Sequence, residues 1–258
     1  RREHECEFLI FDETLINSIN LADMEGVPPV EVTGQVRWFK RPTPGNTYLT
    51  SLDPAMGTGG DYAAIQVFEL PSFEQVAEWH HNTTPMNQQV RILQQINKHI
   101  HDAIMEKDTT ASPQIFYSME NNSIGEAALL RVMDIGEENI QGMFLSEPIR
   151  KGHRRKFRRG FNTTAKHKID ACTKFKELVE NGKMKINSQL LISELKDFVA
   201  SGMSYKAKAG QHDDLVSSCL LMTRMMKVLA DFDPKIFEKW TDRTSELKPM
   251  PVFGSFYG

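Results

Sequence analysis

A chain of 258 residues, 40% hydrophobic and 25% charged, has the balance of a globular protein and enough apolar mass for a sizeable core. A net charge of −3 carries no bulk signature of a nucleic-acid binder, and no run approaches the roughly 18 consecutive apolar residues of a membrane span. Cys6, Cys172 and Cys219 are far apart with no CxxC pair, which points to neither a disulfide framework nor a cysteine zinc site, and the amino end Arg1-Arg2-Glu3-His4 lacks a signal-peptide core. An intracellular protein without a membrane partner is expected, and a start at Arg1 instead of methionine suggests a piece excised from a longer polypeptide.

Residues 1–40 are irregularly patterned and close in Arg41-Pro42-Thr43-Pro44-Gly45-Asn46, where two prolines and a glycine place a boundary. They read as a connecting segment, whether or not they pack on the domain after the boundary. Three strands come next, over 47–53, 61–70 and 73–81, joined by short connections into an antiparallel meander. Val90, Leu93, Ile96, Ile100 and Ile104 repeat at helical spacing, so 85–107 is predicted helical. From there strands and helices alternate: strand 114–119, helix 124–135, strand 142–145, helices 163–180 and 188–200, and a buried helix over 212–230. The expected architecture is α/β, a mixed sheet of three antiparallel strands followed by parallel ones, with helices on both faces. The main domain then covers 41–231, and 232–258 form a carboxy-terminal tail.

Acids stand at the ends of these elements. Asp53 follows the first strand of the meander, Glu120 follows the strand 114–119, and Asp213-Asp214 open the last long helix. An acid at the end of an apolar strand sits where desolvation disfavours its charge unless a cation or hydrogen bond offsets it, and Mg²⁺ takes such convergent carboxylates as ligands. Taken singly, each has a plainer reading. An Asp at a helix start is what capping and the helix dipole favour, and Glu120 before Asn121-Asn122 is consistent with a turn.

The order of the three is more specific than any one. Leu52-Asp53-Pro54-Ala55-Met56-Gly57-Thr58-Gly59-Gly60-Asp61, Met119-Glu120-Asn121-Asn122-Ser123-Ile124-Gly125 and Gly210-Gln211-His212-Asp213-Asp214-Leu215 resemble the three nuclease motifs of the large terminase subunits of tailed bacteriophages, contractile-tailed (myovirus-type) phages above all. The resemblance covers about residues 45–230. It implies an RNase H-like endonuclease that cuts concatemeric double-stranded viral DNA during packaging in the host cytoplasm. It further implies Mg²⁺ or Mn²⁺, as two ions, held by Asp53, Glu120 and one of Asp213 and Asp214. Asp214 is preferred, giving Asp53, Glu120 and Asp214 as catalytic acids, and Asp61, on the second strand of the meander, is expected to face the same site. His212 is either an accessory base or phosphate partner, or a helix-start residue satisfied by its own turn; the second reading is favoured. The implied partners are DNA, an ATPase motor domain of the same polypeptide, the capsid portal and the small terminase subunit. No GxxxxGK[ST] motif occurs, so the motor lies outside these residues.

Two other stretches carry chemistry. Met56-Gly57-Thr58-Gly59-Gly60 could cradle phosphates through backbone N–H groups, which keeps an ATP-binding or phosphotransfer module of related core as a rival; a turn that merely bends the chain is the plainer alternative. Arg150 to Lys168 holds nine Lys and Arg and no acid. Lys151, Arg154, Arg155, Lys156, Arg158, Arg159, Lys166 and Lys168 are therefore candidate DNA-backbone contacts, with a non-catalytic basic docking domain as the third reading.

Overall fold

The computed structural model describes residues 13–122, 124–148 and 159–232. A seven-stranded sheet forms its centre, with β1 (Glu31–Thr33), β2 (Val36–Trp38), β3 (Thr47–Asp53), β4 (Ala63–Leu70), β5 (Glu74–His81), β6 (Gln114–Met119) and β7 (Met143–Phe144) in the spatial order β1-β2-β5-β4-β3-β6-β7. The pairs from β1 to β3 are antiparallel, and β3-β6 and β6-β7 are parallel. This is the mixed sheet expected, with the meander first and the parallel strands after it.

Alternation along the strands sorts side chains into two cores, as a pleat of period two requires. Tyr48 and Leu52 of β3, Ile65 and Val67 of β4, and Ile115, Tyr117 and Met119 of β6 pack beneath α2 (Met86–Lys107) and α3 (Gly125–Ile135). Leu49 of β3 and Ala64 and Phe68 of β4 face the other way, into a core built with α4 (Ala165–Glu180), α5 (Gln189–Asp197) and α6 (Asp214–Phe232). Helix α6 lies against β3 through small residues: Ser51 Oγ is 2.8 Å from the Ser218 carbonyl, and Ser218 Oγ is 3.1 Å from that of Ser51.

Two local expectations are corrected. The helix predicted over 188–200 spans Gln189–Asp197, capped by the Ser188 hydroxyl, and the chain then turns into a hairpin of β8 (Phe198–Ser201) and β9 (Ser204–Ala207). Residues 13–40 are not irregular. A short helix, α1 (Ser18–Asp23), is followed by β1 and β2, and β2 pairs with β5. Leu15, Ile16 and Leu21 are buried in the core, and the Leu15 N–H donates to Phe198 O at 3.0 Å. The sequence left open whether these residues pack on the rest; residues 13–40 do. Of the tail, residues 233–258 lie outside the described residues.

Candidate active site

Asp53 and Glu120 meet because two parallel strands run level. Thr47 is opposite Gln114 and Leu52 opposite Met119, and the Glu120 N–H continues the ladder to Leu52 O at 3.1 Å. Asp53 ends β3 and Glu120 follows β6, both on the parity of Leu49, Ser51 and Ser118, the face covered by α6, at the carboxyl end of the sheet where open α/β folds place ligands. The Glu120 carboxylate is held by the Asn122 side-chain amide, Nδ2 to Oε2 at 3.1 Å, while Asn122 Oδ1 receives the N–H groups of Ile124 and Gly125 at the start of α3. Gly125 is needed there: a Cβ would come within 1.8 Å of the Glu120 carbonyl oxygen.

The two carboxyls line a cavity of about 210 Å³ with Thr163, Lys168 and, from α6, Ser217, Leu221 and Arg224. Burial first, then the charge of Glu120 and hydrogen bonding to its carboxyl, hold the Asp53 carboxyl well above its ordinary range; Asp214 and Asp213 push in the same direction. Asp214 is raised to about 6, by burial first and then by Asp213, against the pull of His212 and the Tyr62 backbone N–H. Its Oδ2 is buried without a hydrogen-bond partner among the described residues, 3.6 Å from His212 Nδ1. Asp213 instead lies 3.8 Å from Lys168 Nζ.

Asp53, Glu120, Asp213 and Asp214 thus act on one another electrostatically, yet only Asp53 and Glu120 are in contact. Among the described residues no three His, Cys, Asp or Glu converge tightly enough to hold a metal in this arrangement. The donor set nonetheless fits a hard divalent ion: oxygen ligands only, two carboxyls with no cationic partner among the described residues, and one further buried carboxylate oxygen within electrostatic range.

The remaining candidates fall in different places. Asp61, expected on the second strand of the meander, precedes β4 in an exposed bend, because regular pairing begins only at Ala63, and its charge raises Asp214. His212 precedes α6 with its ring edge-on to Tyr62. Lys168 lines the acidic cavity, Lys166 an adjoining one, and Arg159 pairs with Glu137. Lys151, Arg154, Arg155, Lys156 and Arg158 lie outside the described residues. In the glycine loop, the Gly59 N–H is taken by Asn82 O at 2.9 Å, and at Gly57 (φ 72°) a Cβ would approach Thr84 O to 2.3 Å. That is a close-packed turn, with Gly59 unavailable to a phosphate, and it weakens the ATP-binding reading.

Asn122, read in the sequence only as part of a turn, orients Glu120. Two further residues went unremarked. Glu194 of α5 reaches the start of α6, its Oε2 accepting the Val216 N–H at 3.1 Å, and Arg224 lines the cavity. Neither of these sits in a motif that local spacing reveals.

A mixed sheet with helices on both faces and carboxyls meeting at the ends of its adjacent parallel strands defines the RNase H-like class of proteins. The chain belongs to the terminase RNase H-like domain family, whose family model matches residues 50–225. The large terminase nuclease of thermophilic phage G20c with bound magnesium superposes with a TM-score of 0.60 at 17% identity, covering 82% of this chain and 97% of that one. The nuclease domain of the Thermus phage P74-26 large terminase gives 0.54 at 18%, covering 80% and 94%. The human cytomegalovirus terminase nuclease domain, manganese-soaked and inhibitor-bound, gives 0.53 at 13%, covering 82% and 94%. At such identities the likeness is one of fold.

Proposed function

We propose that the chain is the nuclease domain of a large terminase subunit, a divalent-metal-dependent endonuclease that cuts concatemeric double-stranded viral DNA during packaging. The observation that carries this reading is the Asp53–Glu120 carboxyl pair, set at the carboxyl ends of parallel strands without a cationic partner among the described residues. Family membership supports it, as do the magnesium and manganese in the names of the structural neighbours. Asp53 and Glu120 would hold Mg²⁺ or Mn²⁺, with Asp214 as the third acid, since its buried Oδ2 has no hydrogen bond among the described residues and its charge acts on Asp53 more strongly than that of Asp213. Two ions are part of the proposal. When bound, such ions polarise a scissile phosphate and offset charge on the leaving oxygen. Lys168 and Arg224 supply positive charge at the cavity wall, while Leu220 and Leu221 limit water on its floor. The basic segment 150–159 would hold the duplex by its phosphates. The ATPase motor of the same polypeptide, the portal, the small subunit, a myovirus-type phage source and action in the host cytoplasm complete the proposal.

Plasmid nicking in Mg²⁺ tests it. Asp53→Asn, Glu120→Gln and Asp214→Asn should each lose cleavage, by about a hundredfold or more if metal-held charge is removed. Their metal-free thermal stability should be at least that of the parent, because each substitution relieves repulsion at a desolvated site. Nicking at the parental rate by all three would remove the assignment. ATP hydrolysis without nicking would favour the phosphotransfer rival.

A further inference from the structure

Arg224 stands on the wall between two hollows. One is the acidic cavity of Asp53 and Glu120; the other, of about 560 Å³, is bordered by Glu147, Lys166 and His167. Although it borders both, its side chain is only 12% exposed and both terminal nitrogens of its guanidinium are bonded to protein. Nη1 donates to Thr163 Oγ1 at 2.9 Å, Nη2 to Asn162 O at 3.0 Å and also to the Glu147 carboxylate, and the guanidinium carbon lies 5.2 Å from the Phe161 ring centroid. Glu147 in turn accepts the Asn162 N–H on its other oxygen at 3.3 Å. One side chain of α6 therefore grips three successive residues, 161–163.

Phe161 among them is the backbone partner of Glu120. The Phe161 N–H donates to Met119 O at 3.2 Å and the Asn121 N–H to Phe161 O at 2.7 Å, so Phe161 brackets Glu120 on one side, while the Glu120 N–H donates to Leu52 O on the other. On α6, Arg224 shares with Ser217 and Leu221 the face that lines the cavity, and Asp213 and Asp214 begin the same helix. The guanidinium is thus a direct tie between the segment that seats Glu120 and the helix that brings the remaining acids.

We propose that Arg224 is a positioning residue, fixing Glu120 against α6 and so setting the spacing of the carboxyls, and that it is not a phosphate-binding cation. The proposal rests on the metal-dependent nuclease reading above. An arginine suits the role because its planar fork reaches several acceptors at once in fixed directions, whereas a lysine offers the same charge at a single point. Charge and positioning can therefore be separated.

The test compares the parent, Arg224→Lys, Arg224→Gln and Thr163→Val by Mn²⁺ titration calorimetry and by plasmid-nicking kinetics, with circular dichroism as the check on folding. Arg224→Lys and Arg224→Gln should both bind Mn²⁺ about tenfold to a hundredfold more weakly, the range found when the supports of metal ligands are removed. Loss should appear in kcat, with KM for DNA moving by less than about threefold. Thr163→Val, which deletes one acceptor at nearly constant volume, should move Mn²⁺ affinity and kcat the same way by a smaller factor. It decides the matter if neither Arg224 variant folds, unchanged values then counting against the proposal. Restoration of kcat by Arg224→Lys, or parental Mn²⁺ affinity in folded Arg224→Gln, overturns it. A parent protein that neither binds Mn²⁺ nor nicks DNA would overturn the nuclease reading itself, and this proposal with it.

Discussion

Glu194 and His80 face each other across 3.8 Å, and near neutral pH neither is charged. Burial is the main cause on both sides. It pushes the Glu194 carboxyl up to about 9, helped by Asp214 and Asp213 and opposed by the Val216 and Leu215 N–H groups, and it pushes His80 down to about 4, helped by Arg37, His212 and His81. Folded protein therefore keeps a proton on Glu194 that the unfolded chain releases above the ordinary value of 4.5. Stability from this group is full below that value and is lost as pH rises towards about 9, by at most about 1.4 kcal/mol per pH unit for one proton. Glu194→Gln keeps an oxygen for the Val216 N–H and has no proton to lose. Chemical denaturation of this variant between pH 5 and 9 should show a flatter stability profile than the parent and higher stability at pH 8; parallel profiles would mean that Glu194 ionises normally.

Among the elements, α6 and β3 decide where the acids stand, and serines let them approach. Ser51 and Ser218 are fully buried, their hydroxyls 2.9 Å apart, each bonded to the other's backbone carbonyl. Ser218→Leu should force the helix off the strand, lowering the melting temperature in line with the roughly 1–3 kcal/mol cost of overpacking and lost hydrogen bonds. It should also weaken nicking, since Asp213 and Asp214 ride on that helix; an unchanged melting temperature would show that the contact is not limiting. Much of this layout was legible. Strand β3 ends at Asp53 and β6 runs into Glu120 as read, because each is a short apolar run closed by a polar break, and the wide helical stripe from Val90 to Ile104 made α2 plain. The β8–β9 hairpin was not, because Leu191, Ile192 and Leu195 lead into Phe198 and Val199 at helical spacing and only Gly202 betrays the turn. Strands of three residues such as β1 and β2 are too short for alternation to speak. Arg224 and Glu194 were beyond reach for another reason: their roles lie in contacts with residues far away in sequence.

Across the whole molecule, charge is distributed unevenly. An acidic site and a net charge of −3 would repel DNA unless cationic groups elsewhere hold it, and the densest run is 150–159. Arg159 is already committed, paired with Glu137 and 5.4 Å from the Phe144 ring centroid. Neutralising Arg154, Arg155 and Arg158 should therefore flatten the slope of log affinity against log salt by roughly 3 on duplex DNA, about 0.9 per phosphate contact, with unrelated sequences affected alike. Adding Arg159→Gln should change the slope little further. A salt dependence equal to the parent's in the triple variant would place the DNA elsewhere. At the opposite edge of the sheet, Arg37 from β2 reaches buried Glu78 at 3.0 Å, and Lys40 bridges Glu69 and Glu74, so residues before 41 are fastened by charge as well as by packing. We propose that this stretch also leads to the motor domain.

The level start of β3 and β6 makes parts of this chain countable and others not. From Thr47 the backbone takes seven residues to present Asp53, and from its neighbour Gln114 six strand residues lead to Glu120. Between the two acids lie two further strands and a 22-residue helix, none of which enters that count. A residue gained in the loop 108–113 adds only slowly growing closure entropy. A residue gained inside β6 turns Glu120 through the sheet to the α2 side, because each step along a strand reverses the face. Length changes should thus be tolerated or ruinous according to position, with little between, and relatives can drift in the spacing between motifs while the distance from strand start to acid stays fixed.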